Sequence, residues 1–198
     1  MPKFRVATGF AGTPIIFQAL TETNHLNLAY RMLMEDRCPS WLYPITQGAT
    51  TIWECWDSML PDGSINPGSM TSFNHYALGS VLSWLHEKVG GLRPLEPGWK
   101  TALVSPQPGD PLTSASVSYE SSYGTWSCRW QLVPDGDGKM ALVVGVSVPP
   151  NTTAIIRLFA IPEKRVGSGH YQFRVPYCPE PNAPEAIAPY ITNPGQGI

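Results

Sequence analysis

The sequence predicts an α+β chain in which a short all-helical part precedes an antiparallel β-sandwich. Up to Gly91, apolar residues recur at helical spacing, as in HLNLAYRMLMED and SFNHYALGSVLSWLHEKVGG. After Gly91 the texture changes to short alternating runs split by Pro and Gly. The chain carries 18 Gly and 21 Pro, which favour short elements and many turns.

Residues 1–10 read as an extended lead-in. A first helix starts near Thr13-Pro14, with Thr as cap and Pro in the first turn, and runs through IIFQAL. A break at Thr23-Asn24 precedes a second helix, in which Leu26, Tyr30, Leu33 and Met34 fall near helical spacing. CPSWLYPITQGA reads as loop. TTIWECWDSM reads as a third, short helix capped by Thr50 or Thr51. LPDGSINPGSM is turn-rich. A longer fourth helix follows, with Phe73, Tyr76, Ala77, Val81, Trp84, Leu85 and Val89 as its apolar stripe and Gly90-Gly91 as its stop. Four helices of this length make two αα-hairpins with one side open, which the sandwich, the tail or another chain must cover. A homodimer burying that face is one expectation.

In the second part, SASVSYES, TWSCRWQL, MALVVGVSV, TTAIIRLF and HYQFRVP read as strands, and PDGDGK as a hairpin turn. The spacing suggests about seven strands in a sandwich. This divides the chain into residues 1–91, 92–175 and a Pro-rich tail, 176–198. In that tail Ile187, Tyr190 and Ile191 are suited to lying across a groove.

Composition narrows the function. Charged residues are 14% and the formal net charge is −2, with no Lys or Arg runs, so no footprint for nucleic acid is present. No apolar run is long enough for a membrane span, and MPKFRVATGFAG lacks the apolar stretch of a signal peptide. A cytoplasmic protein is therefore expected. Cys38, Cys55, Cys128 and Cys178 form no CxxC pair, which predicts reduced thiols, no zinc site and no cofactor. Asn151-Thr152-Thr153 is a sequon that reads as a turn.

The stretch GATTIWECWDSMLPDGS sets one carboxylate, Glu54, between Trp53 and Trp56. A carboxylate among indoles suits proton transfer on a small molecule, because burial would raise its pKa toward neutrality. His75 in SFNHYALG is the second candidate catalytic group, flanked by Asn74 and Tyr76. Trp41 and Tyr43, just ahead of the Glu54 stretch, complete the expected substrate-binding set with Trp53, Trp56, Asn74 and Tyr76. Asp57 is expected on the same helix face as Glu54, not across a pocket. Cys55 has no electropositive neighbour to make it a nucleophile. Glu22, Glu35, Asp36 and Asp62 read as solvated surface, and His25, His86 and His170 as surface or turn residues.

TGFAGTPIIFQAL, PSWLYPITQGATTIWECWDSMLPDGS, and MTSFNHYALGSVLSWLHEKVGG followed by PGWK resemble the α-L-rhamnosidases of glycoside hydrolase family seventy-eight. LTSASVSYESSYG and the VPPNTTA turn extend the likeness, which covers roughly residues 7–175. The resemblance implies the end of a barrel of six αα-hairpins followed by that family's C-terminal β-sandwich. It implies that Glu54 is the general base of an inverting hydrolase and that His75 binds sugar. The acid that such a mechanism requires on the other face of the sugar has no counterpart here. Where the family has Arg after the base, this chain has Cys55. A chain with half of a hydrolytic pair is expected to serve as a cyclase or isomerase, even a pericyclic one, on an apolar small molecule in secondary metabolism of a fungal kind. The alternatives are a rhamnosidase fragment acting with a partner chain, or a non-catalytic sugar- or protein-binding module.

Overall fold

The structure is a computed structural model that describes residues 4–6 and 8–178. The tail's Ile187, Tyr190 and Ile191 lie outside the described residues. Helix α1 spans Thr13–Glu22, α2 spans Leu26–Leu33 and α3 spans Leu42–Thr46. Thr13 is the first helical residue and not the cap. Its hydroxyl donates to the Gly9 carbonyl at 2.9 Å and ties the lead-in to the helix start. Asn24, at φ 61°, makes the break between α1 and α2. The stretch read as loop contains α3, whose capping residue, Trp41, is fixed by its own side chain.

Two helical expectations are corrected. TTIWECWDSM is a string of turns and bends, not a helix. Its backbone pairs instead with the segment 20 or so residues ahead. Glu54 N–H donates to Ser72 O at 2.8 Å, His75 N–H donates to Ile52 O at 2.8 Å, and the Thr51 hydroxyl donates to Phe73 O. The fourth helix therefore cannot start at Ser72, because those backbone groups are already used. It begins as a 3₁₀ turn at Ala77–Ser80, continues as α4 over Val81–Trp84 and ends in a π turn, Leu85–Val89. Asn74, His75 and Tyr76 consequently sit on a loop. Glu54 and Asp57 share no helix face.

Eight strands follow: β1 Leu92–Pro94, β2 Thr101–Val104, β3 Ser114–Ser121, β4 Gly124–Pro134, β5 Met140–Val148, β6 Thr153–Ile156, β7 Lys164–Val166 and β8 Gly169–Tyr177. They form two four-stranded sheets, ordered β1-β2-β6-β7 and β3-β4-β5-β8. All pairings are antiparallel except β2 with β6, which is parallel because the chain changes sheets after β5. The turn at Pro149–Thr152 makes that crossing, with Asn151 at φ 59° and the Thr152 hydroxyl donating to Pro149 O at 2.7 Å. PDGDGK forms the expected hairpin, closed by Asp135 N–H to Lys139 O at 2.9 Å.

One apolar cluster runs through both parts. Phe17, Tyr30, Trp41 and Trp84 from the helical side join Trp126, Cys128, Trp130, Val144 and Ile156 of the sandwich. Polar anchors pin the seam. Trp130 Nε1–H donates to Val89 O at 2.6 Å, and the Tyr30 hydroxyl donates to Gln107 O at 2.6 Å. Gly91, at φ 80°, lies so close to Pro106 that no Cβ fits there. The sandwich thus covers one side of the helices.

Candidate functional site

Two cavities meet at Trp56. The first, about 370 Å³, is apolar and is lined by Leu33, Ile52, Val81 and the indoles of Trp41, Trp53 and Trp56. The second, about 530 Å³, is lined by Glu54, Cys55, Trp56 and Asp57, with Phe10 and Met70 also on its wall. Trp56 and Leu78 border both. The two tryptophans therefore do not clasp Glu54. Trp53 is buried against Phe73, with ring centroids 5.1 Å apart and edge-on, and faces the apolar cavity. Trp56 stands edge-on to Trp41 at 5.0 Å and forms the wall beside Glu54.

Glu54 is held by Ser72, on the loop that follows. Its Oε2 accepts the Ser72 N–H at 3.1 Å, which fixes the direction in which the carboxylate points. Its Oε1 makes no hydrogen bond among the described residues, which leaves that oxygen for a ligand or a water in the cavity. Asp57 lines the same cavity. Met70, at φ 66°, is a non-glycine residue in the left-handed region on the cavity wall.

His75 lies one ring away. It stacks on Phe10 at 5.0 Å and on Tyr76 at 5.1 Å, giving a three-ring ladder that ends at Tyr76, which is 87% exposed. Its Nδ1 accepts the Ala77 N–H at 3.2 Å. That bond assigns the proton of the neutral ring to Nε2, which is then a donor. His75 does not itself line either cavity. Asn74 is exposed and lines neither. Trp41 donates from Nε1 to Leu78 O at 2.8 Å, and the buried Tyr43 donates its hydroxyl to Met59 O at 2.8 Å. Tyr43 thus fastens the loop beneath the site and borders neither cavity. Phe10, Met70 and Ser72 are the neighbours the sequence reading missed. Ser72 acts through its backbone, which no residue type announces.

The two cysteines near the site, Cys55 and Cys38, are poor nucleophiles. Burial pushes the Cys55 thiol up, and the charges of Asp57 and Glu54 add to that. Cys38 is also raised by burial and by Asp57, with Arg5 acting the other way.

Residues 1–89 match the model of the bacterial α-L-rhamnosidase six-hairpin glycosidase domain, and residues 91–173 match that of the bacterial α-L-rhamnosidase C-terminal domain. The chain belongs to the α-L-rhamnosidase family and corresponds to its C-terminal part. An α-L-rhamnosidase of Streptomyces avermitilis is 42% identical over 170 residues, which is 86% of this chain and 16% of that protein. One of Formosa agariphila is 42% identical over 151 residues, 76% of this chain and 16% of its own length. The crystal structure of the Aspergillus terreus α-L-rhamnosidase superposes with a TM-score of 0.81 at 46% identity, covering 86% of this chain and 20% of that one. The S. avermitilis structure complexed with L-rhamnose gives 0.78 at 38% identity, covering 87% and 18%. The chain thus spans about a sixth of the curated relatives' length. These α-L-rhamnosidase relatives lend no support to the cyclase or isomerase expectation. No helix among the described residues is long and apolar enough to cross a membrane.

Proposed function

We propose that this chain supplies the general-base wall of an α-L-rhamnosidase pocket. The observation that carries the reading is Glu54: one oxygen is tied to the Ser72 N–H, and the other is left free in a 530 Å³ cavity beside Trp56. In this reading Oε1 takes a proton from a water that attacks the anomeric carbon. Trp56 shields that water on one side, and the Phe10–His75–Tyr76 ladder carries a donor at Nε2 for a sugar hydroxyl. The acid that protonates the departing oxygen comes from the remainder of a six-hairpin domain. Asp57 cannot serve as that acid, because it leaves from the same loop as Glu54 and inversion requires opposite faces of the ring. The ring-closure reading is weaker on physical grounds too. The cavity suited to an apolar molecule contains the three indoles but neither Glu54 nor His75.

The experiment is a chimera in which this chain replaces the matching segment of the S. avermitilis relative. The chimera is expected to release nitrophenol from an aryl α-L-rhamnoside with inversion, read by NMR. Glu54→Gln should cut the rate by about 100-fold or more, the scale of general-base catalysis. Undiminished hydrolysis by Glu54→Gln would remove Glu54 from the mechanism.

A further inference from the structure

We propose that the outer face of the β3-β4-β5-β8 sheet is a second binding site, and that it takes an oligosaccharide bearing a carboxylate, anchored on Arg129. This face carries a groove of about 790 Å³, larger than the Glu54 cavity. An antiparallel sheet with one wet face is ordinary, and polarity alone would mean little. Three features set this face apart.

The first is Gly145, in the middle of β5, in register with Arg129 on one side and Gln172 on the other. A glycine inside a strand weakens it and often marks a close approach by another group. Here a Cβ would stand 3.0 Å from Arg129 Nε and 3.2 Å from its Cγ. The missing side chain lets the arginine lie flat across the sheet. The second is charge. Among the described residues only Arg157 and Arg174 form ion pairs, with Glu163 at 2.8 Å and Asp135 at 2.6 Å, so it is the groove around Arg129, and not the lack of a pair alone, that matters. Arg129 makes no ion pair or side-chain hydrogen bond among the described residues, and no carboxylate lines its groove. The third is the set of groups around it. Gln131 is two residues along β4 on the same face, about 7 Å away along the strand, and Gln172 is two strands across, about 10 Å away. Ser116 faces Arg129 from β3. His170 has its Nδ1 occupied by the Ser147 hydroxyl at 2.8 Å, so Nε2 points to other partners.

A planar guanidinium with a free fork matches a carboxylate in two parallel bonds. Amides and a hydroxyl on two sides of it both donate and accept, as vicinal sugar hydroxyls require. The uronic-acid class combines the two. A bare phosphate would use the arginine but leave both glutamines idle, and a neutral glycan would use the glutamines but leave the cation desolvated and unpaired.

The test is a titration of the full, isotope-labelled chain followed by amide NMR shifts, with three probes: trigalacturonate, maltotriose and inorganic phosphate. Trigalacturonate is expected to shift the amides of residues 129–131, 143–145 and 170–172 at millimolar concentration. Arg129→Ala should weaken that binding at least tenfold, and Gln172→Ala several-fold. Both side chains are exposed, so a native spectrum confirms that the variants fold. Gly145→Ala, which crowds Arg129, should weaken binding as well. Equal shifts with phosphate would reduce the groove to a simple anion site and overturn the proposal. Equal binding of maltotriose, or insensitivity to Arg129→Ala, or no shift with trigalacturonate would overturn it too. The readout involves no hydrolysis, so it stands apart from the role given to Glu54.

Discussion

Glu54 and Ser72 grip each other twice: Glu54 N–H donates to Ser72 O at 2.8 Å, and Ser72 N–H donates to Glu54 Oε2 at 3.1 Å. Both bonds on the Ser72 side belong to its backbone. The carboxylate is therefore aimed by the chain path of residues 70–75.

Ser72→Ala keeps the N–H that holds Glu54 and loses only the hydroxyl links to Asn74. In the chimera it should lower hydrolysis less than about threefold, whereas Ser72→Pro, which deletes the donor, should lower it by about 10-fold or more, the scale of one misplaced catalytic contact. Initial rates on an aryl rhamnoside check this. Equal rates for the two variants would show that the backbone bond does not position the carboxylate.

Trp41 lines the apolar cavity and braces Trp56, which borders both cavities. It packs on Phe17 at 4.9 Å and on Trp56 at 5.0 Å, and its Nε1 meets Leu78 O in a buried bond. Trp41→Phe leaves that carbonyl without its donor and should cost about 1–3 kcal/mol in urea unfolding. Leu82, 63% exposed in this chain, gives the contrast. Leu82→Ser should stay within about 0.5 kcal/mol of the parent.

The seam between helices and sandwich can be probed at Gly109. A Cβ there would fall inside the ring of Tyr30, which is fully buried. Gly109→Ala should destabilise by about 1–3 kcal/mol, the usual cost of overpacking a filled core. Combined with Tyr30→Ala it should cost less than the two changes summed, because the second removes the ring that the first collides with. Full additivity in the denaturation cycle would place the strain elsewhere.

The sandwich was legible because its signals are local. β4 and β5 alternate inward Trp126, Cys128, Trp130, Val144 and Val146 with outward residues such as Ser127, Arg129 and Gln131, and PDGDGK marks the hairpin between them. Strands β1, β2 and β7 are three or four residues long, too short to show a period. The Glu54 stretch was misread for a physical reason. Ile52, Trp53 and Trp56 fall at helical spacing, yet their backbone bonds go to residues 72–75, and distant pairing overrode local propensity. Glu54 and Trp56, singled out by residue type and order, do line one cavity. Asp57 was set aside on the strength of the helix, and Ser72 and Met70 contribute through backbone geometry that side-chain chemistry does not reveal.

Cys128 gives the core a pH dependence that can be measured. Its thiol sits between Trp126 and Trp130 on β4, fully buried, and burial alone pushes its pKa from 9.0 up to about 12. A raised folded-state value means that the native protein resists losing this proton while the unfolded chain gives it up readily. The contribution to stability is whole below about pH 9 and is lost as pH rises from there toward 12. Between about pH 8 and pH 10 the unfolded state gains about one proton's worth of ionisation, which removes on the order of 1 kcal/mol. Tyr30 is raised in the same sense, by burial and by Tyr177, and Tyr30→Phe serves as the background in which to isolate the thiol. In that background the urea midpoint should fall from pH 8 to pH 10, and Cys128→Ala should flatten the fall even though the smaller side chain lowers stability at both pH values. Modification of Cys128 itself by a disulfide reagent at pH 8, located by peptide mapping because Cys178 is exposed and reacts in any case, or a slope unchanged by Cys128→Ala, would show that the sandwich interior admits water at β4.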